Sequence, residues 1–294
     1  MTSRSRPKYV RPGGQGQAVG VSHSTPTRDN DGVHDPAEGI SPDGVIVTGA
    51  RRDRVPQEFE QVLSATADRV SAMADVSLYV YGSVATGTAR TGSSDVDFLT
   101  VGLPAPHAKT MGTQLSDRFA TLCRGVEIAP AQPEDLVGGD DLAYGNRVFL
   151  RHYCVHLQGP DRRADLPSFK ADARAARGFN GDIGRHLRRW RAAAAEADSS
   201  AATLLGRRVA RKTLLAVAGL VSVHDTTWTT DRVSAAQRWS VIDPSLADPL
   251  AGLVAWSERR RQPTTDEVRF ALAPGGVVDS VTSAFESTIG LWAG

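Results

Sequence analysis

The segment LYVYGSVATGTARTGSSDVDFL, Leu78 to Leu99, constrains this chain more than any other stretch. An apolar run of Leu78, Tyr79, Val80 and Tyr81 stops at Gly82-Ser83. A Gly/Thr/Ser-rich stretch comes after it and reads as a flexible spacer. Asp95-Val96-Asp97 then opens a second apolar run that continues through Thr100-Val101. On a strand, residues i and i+2 point to the same face, so Asp95 and Asp97 set two carboxylates side by side. Like charges held that close are costly unless a cation neutralises them, and a hard divalent ion with oxygen ligands does so. A Gly-Ser turn at the end of the preceding strand offers backbone N–H groups and a hydroxyl to a nearby phosphate. Phosphate plus metal implies a nucleotide site.

The ordered set of strand, Gly82-Ser83, spacer, Ser94, Asp95-x-Asp97 and strand resembles the signature of the DNA polymerase β-type nucleotidyltransferase superfamily. Within it, GSVATGTARTGSSDVDFL looks most like the minimal bacterial nucleotidyltransferases. It also resembles the adenylyltransferases that inactivate aminoglycosides such as streptomycin and spectinomycin. The spacer is slightly longer than the commonest pattern, a departure that a loop tolerates. An Asp-x-Asp alone says little, because such pairs are frequent in solvated loops and helix caps. The order of the whole set carries the resemblance.

A chain of 294 residues has room for one large domain or two modest ones. Lys+Arg is 34 against Asp+Glu 33, a formal net charge of +1. That balance gives no general attraction to nucleic acid or membrane. Cys123 and Cys154 do not suggest a disulfide scaffold in a chain of this size. No apolar stretch is long enough to span a bilayer and no signal-peptide core is present, so the expected location is the cytoplasm.

Residues 1–50 are rich in Gly, Pro, Ser and charge, and are expected to form a disordered tail, with Val45-Ile46-Val47 as a strand or docked segment within it. Residues 51–165 are expected to form the nucleotidyltransferase domain. There Phe59, Val62, Leu63, Ala67, Val70 and Met73 recur at helical spacing. The two strands come next, then a helix from about His107 to Leu122, and then the short run Val126-Glu127-Ile128-Ala129. Residues 166–294 read as an all-helical domain, with Gly178, Gly181 and Gly184 breaking its first helical segment in two. The expected class is α+β: a mixed sheet flanked by helices, followed by the helical domain. That layout also resembles the aminoglycoside adenylyltransferases, whose acceptor binds between the two domains.

If Val126 and Ile128 face the core, Glu127 faces the side of the sheet that carries Asp95 and Asp97. By the resemblance, Asp95 and Asp97 hold Mg²⁺, with two ions expected. The third acid, at Glu127, either completes a second metal site or acts as general base. Gly82 and Ser83, with Ser94 as the weaker candidate, would hold the β- and γ-phosphates of ATP or another NTP. The other reading of Glu127 is the solvent-facing residue of an edge strand, and Glu134 and Asp135 are weaker rivals for the base. Arg207, Arg208, Arg211 and Lys212 form a cationic stripe on a helix. Arg208 and Lys212 are the candidates to reach the triphosphate, against the alternative of a solvated polar face. His152, Cys154 and His156 lack the spacing and fourth ligand of a zinc site and read as packing at the domain junction.

The function implied is transfer of a nucleoside monophosphate, AMP from ATP, to a hydroxyl of a small-molecule acceptor, with an aminoglycoside as the specific suggestion. Two alternatives stand beside it. One is a toxin-like enzyme that modifies RNA or protein; the other is a non-catalytic, antitoxin-like nucleotide-binding module.

Overall fold

The computed structural model describes residues 35–293. The part of the expected tail at residues 1–34 lies outside the described residues. Residues 35–50, placed in the expected tail, are instead an ordered strap, and the run Val45-Ile46-Val47, read as a strand or docked segment, contributes a strand to it. Its strands β1 (Gly39–Ile40) and β2 (Ile46–Val47) pair antiparallel, and Ile46 is 2% exposed. Composition alone reads this stretch as unable to bury a core; its order comes from partners far along the chain.

Next come α1 (Glu60–Ser71), β3 (Ser77–Tyr81), α2 (Gly82–Thr86), β4 (Asp95–Val101), α3 (Ala105–Arg118), β5 (Gly125–Ala131), α4 (Asp141–Tyr153) and β6 (Val155–Gln158). The four long strands form one mixed sheet in the order β5-β4-β3-β6. β3 pairs antiparallel with β4 and with β6, and β4 pairs parallel with β5. A parallel pair needs a crossover, and α3 supplies it.

The period-2 alternation of the strands divides the sheet into two faces. Leu78, Val80, Val96, Phe98 and Val126 pack with Val62, Leu63 and Val70 of α1 and Met111 and Leu115 of α3. Tyr79, Leu99, Val101 and Ala131 occupy the opposite face, against Leu150 of α4 and Cys154. Asp95, Asp97 and Glu127 share the parity of this second set. The carboxylates therefore open towards α4 and not into the α1/α3 core.

Beyond β6 the chain is helical, as expected: α5 (Ala173–Asn180), α6 (Ile183–Glu196), α7 (Ser199–His224), α8 (Arg232–Ile242), α9 (Ala247–Ser257), α10 (Thr265–Leu272) and α11 (Val277–Thr288). The break between α5 and α6 falls at Gly181-Asp182, inside the glycine cluster that the sequence marks. No helix among the described residues is long and apolar enough to cross a membrane.

The strap ties the two halves together. Ile46 N–H donates to Phe169 O at 3.0 Å, Ala171 N–H donates to Gly44 O at 3.0 Å, and the Thr48 hydroxyl donates to His152 O. The Glu38 carboxylate accepts from the Tyr153 hydroxyl at 2.7 Å, the Thr230 N–H at 2.6 Å and the Thr230 hydroxyl at 2.8 Å. It thereby bridges α4 and the α7–α8 connection. Burial lifts the Glu38 carboxyl above its ordinary range even though three donors face it. Glu38→Ala leaves these donors without an acceptor, so it is expected to cost about 2–3 kcal/mol in a urea unfolding titration. A change under about 0.5 kcal/mol would show that the strap does not clamp the fold.

Candidate active site

Gly82 has φ +71, a left-handed conformation, and a Cβ added there would lie 2.8 Å from Asp97 Oδ2. The chain therefore turns at the end of β3 while its backbone comes close to a carboxylate of β4. The residues after the turn do not begin the flexible spacer that the sequence suggests. Gly82–Thr86 form the short helix α2, with Ser83 5% exposed and Val84 and Ala85 fully buried. Thr88 and Ala89 both donate their N–H to Ser83 O, at 2.9 and 3.1 Å. The Ser94 hydroxyl accepts the Arg90 N–H at 2.8 Å, and Ser94 O accepts the Arg124 N–H at 3.0 Å. Ser94 thus pins the loop and joins it to the start of β5.

Asp95 and Asp97 are 6% and 5% exposed. In the parallel ladder Asp97 sits directly opposite Glu127, and Asp95 opposite Gly125; in the antiparallel ladder Asp97 faces Tyr81. Directly paired residues share a face, so Asp97, Glu127 and Tyr81 form one row. The Asp97 carboxyl is pushed well above its usual range, first by burial and then by the charges of Glu127 and Asp95, with Arg124 opposing. Its Oδ1 is buried and has no hydrogen-bond partner.

Arg124 is a site residue that the sequence reading missed. Its guanidinium grips Asp95 with two bonds, Nε to Oδ1 at 3.2 Å and Nη2 to Oδ2 at 2.5 Å. Only the pairing of β4 with β5 reveals it, by placing residue 124 beside residue 95 at the end of the sheet.

Among the described residues, no group of three or more His, Cys, Asp or Glu side chains is already gathered as a metal cage. The donor set still fits a hard divalent cation. It is all oxygen, it has an orphaned buried carboxylate atom, and its mutual repulsion is of the kind a cation relieves.

The cationic stripe of α7 does not share one face. Arg208 is exposed, whereas Arg211 and Lys212 are 7% and 5% exposed. Lys212 Nζ lies 2.6 Å from Asp182 Oδ1 and donates to Phe179 O at 3.1 Å. His186 meets the other Asp182 oxygen at 3.1 Å. Burial lowers the Lys212 ammonium from its usual range, with Asp182 pulling it back up. Arg208 thus points to solvent, whereas Lys212 is buried in an ion pair.

His152, Cys154 and His156 each have separate surroundings. His152 Nε2 accepts the Phe169 N–H at 2.9 Å, and burial pushes its imidazole down to about 4. His156 instead bonds Gly159 O at 2.8 Å, and Cys154 is a buried free thiol.

An aromatic wall leads away from the acids. The Tyr81 ring meets Phe149 edge-on at 5.1 Å, and Phe149 stacks on Tyr153 at 5.7 Å. Phe179 packs against Tyr153 at 5.8 Å and against Trp228 at 5.7 Å. The segment Leu214–Val223 of α7 contains no aromatic residue. The rings come instead from β3, α4, α5 and the α7–α8 connection. All but Trp228 are only partly buried.

Residues 60–119 match the family described as a nucleotidyltransferase domain. The match spans α1 to α3 and includes Gly82, Ser83, Asp95 and Asp97; Glu127 lies beyond it. Comparison with curated protein sequences gives no significant match. Among solved structures, the fold is similar to that of spectinomycin adenyltransferase AAD(9) from Enterococcus faecialis, determined with ATP and spectinomycin. The TM-score is 0.50 at 11% identity, covering 78% of this chain and 99% of that one.

Proposed function

We propose that this chain, whose residues 60–119 match the nucleotidyltransferase-domain family, transfers AMP from ATP to a hydroxyl of a small-molecule acceptor, with an aminoglycoside as the leading class. The observation that carries this reading is the row Asp97–Glu127 beside Asp95, on the sheet face that opens towards α4. The row is continued through Tyr81 into a wall of rings. Aromatic faces of this kind suit the C–H faces of sugar rings, and the similar fold was determined with spectinomycin and ATP.

In the proposed reaction, an acceptor oxygen attacks the α-phosphorus in line. The new O–P bond forms as the bond to the bridging oxygen of pyrophosphate breaks, and the acceptor proton passes to the Glu127 carboxylate. Asp95 and Asp97 would hold Mg²⁺; Glu127 would complete a second metal site only in place of the base role. When bound, the metal neutralises the triphosphate and the charge growing on the leaving oxygen. Ser83, at the turn after β3, would meet the β- and γ-phosphates, with Gly82 allowing the backbone to come close. Ser94 shapes that loop from behind. The phosphate candidate on α7 is Lys212, which would have to give up its pairing with Asp182 and the Phe179 carbonyl to reach a phosphate. Exposed Arg208 carries no part of the proposal.

The direct test is incubation with α-labelled ATP, Mg²⁺ and a panel that includes spectinomycin and streptomycin. The expected product is an acceptor heavier by one AMP, with pyrophosphate released in equal amount. Labelled RNA or protein from lysate, with no labelled small molecule, would overturn the acceptor assignment. Glu127→Gln is expected to slow the chemical step at saturating ATP by about 100-fold or more, the scale of general-base loss. ATP affinity should stay within about 3-fold of wild type by calorimetry. An unchanged rate removes Glu127 from the proton transfer.

A further inference from the structure

We propose that Arg124 is a built-in counter-ion of the acid cluster: its guanidinium stands where a divalent cation would bind Asp95 and gives way when metal and nucleotide arrive. The inference rests on the metal–nucleotide reading above and concerns how that site is kept stable when empty and how it is opened.

Three observations support it. Arg124 engages both Asp95 oxygens, one by Nε and one by Nη2, so no Asp95 oxygen is left without a guanidinium partner. A divalent ion on the same carboxylate would sit within a few ångströms of the guanidinium, where like charges repel strongly even in a polar protein environment. The pair and the metal therefore compete for Asp95. Next, the Asp95 side chain is only 5% exposed whereas that of Arg124 is 27% exposed. The acid is fixed in the sheet, while the guanidinium reaches it from the solvent side and can leave without unpacking a core. Finally, the Arg124 backbone is tied down by its N–H bond to Ser94 O, and the following residue is in register with Asp95. Only the side chain has to swing.

A guanidinium displaced from a carboxylate seeks another anion, and phosphate oxygens form the same two-bonded pair. Metal alone would have to displace Arg124 without bringing an anion for it. Metal arriving with a triphosphate supplies both replacements at once. Arg124 is thus a positioning residue that favours joint binding of metal and nucleotide over metal alone.

The test reads Mn²⁺ affinity by electron paramagnetic resonance without nucleotide, in wild type, Arg124→Gln, Arg124→Lys and Asp97→Asn. Arg124→Gln is expected to bind Mn²⁺ about 10-fold tighter than wild type, and Arg124→Lys to fall between them because a single ammonium cannot hold both oxygens. With Mn²⁺ and a non-hydrolysable ATP analogue together, the advantage of Arg124→Gln should shrink or reverse. If Arg124→Gln does not fold, Arg124→Lys gives the same reading with a smaller shift. Equal or weaker Mn²⁺ binding by a folded Arg124 variant, while Asp97→Asn abolishes it, overturns this inference and leaves the metal site intact. Failure of wild type and Arg124 variants alike to bind Mn²⁺ overturns both.

Discussion

Asp97→Asn is expected to lower kcat/KM for transfer by at least about 1,000-fold, the scale of losing a main stabiliser of transition-state charge. It is also expected to make the metal-free protein more stable. Asp97 is buried, its Oδ1 has no hydrogen-bond partner, and Glu127 and Asp95 both repel its charge. Its folded-state pKa therefore lies well above the ordinary 3.8. The carboxyl contributes its full share to stability only below the unfolded value, and that share is lost as pH rises through the raised folded value. An asparagine cannot ionise, so it avoids the loss. In chelator, the melting temperatures of mutant and wild type should nearly coincide at about pH 4 and separate as pH rises. A gain of about 1 kcal/mol corresponds to ~2–4 °C in a protein of this size class. Mg²⁺ should then raise the wild-type midpoint at neutral pH and leave that of the mutant unchanged. A mutant that melts below wild type at pH 7 in chelator would contradict the electrostatic account of the site, whatever its activity.

The parts of this site that were legible in the sequence were local. Alternation along β4 puts Asp95 and Asp97 on one face whatever surrounds them. The flanking Val126 and Ile128 assign Glu127 to that face, and the ladder places it directly opposite Asp97. The parts that were not legible depend on partners distant in the chain. α2 has spacer composition and becomes helical because Val84 and Ala85 are buried under the domain and Ala85 O receives the Arg51 N–H. α4 was hidden by Gly145 in its middle, where its backbone meets that of Gly178 on α5. Lys212 looked like part of a solvent stripe because its counter-ion, Asp182, sits in the break between two other helices. Arg124 could not be found at all without the register of β5. Glu38 and Ile46 lie in a stretch whose composition argues for disorder, and they are held by residues from α4 onward. Period and motif thus found the acids, whereas the charges that balance them and the rings beside them are products of tertiary structure.

Gly82→Ala is expected to separate chemistry from folding without changing any charge. The substitution has two costs. A left-handed alanine costs about 1–2 kcal/mol in conformational energy, and the new Cβ would sit 2.8 Å from Asp97 Oδ2, closer than any such contact can be. Something must shift, and the neighbour is the buried carboxylate proposed to hold the metal. A displacement approaching 1 Å at reacting groups costs on the order of 100-fold in rate, so kcat should fall by about that factor while the melting temperature drops only a few degrees. Gly92 provides the control. It has φ +75, nearly the same strained backbone, yet a Cβ added there meets nothing within 4 Å. Gly92→Ala should therefore show a comparable stability loss with near-normal turnover. If the Gly82 effect runs through Asp97, the Gly82→Ala/Asp97→Asn double mutant should be no slower than Asp97→Asn alone, because both changes disable one group. Additive losses in that double mutant, or equal rate losses at Gly82 and Gly92, would place the effect in the backbone of the turn and not in the carboxylate that it crowds.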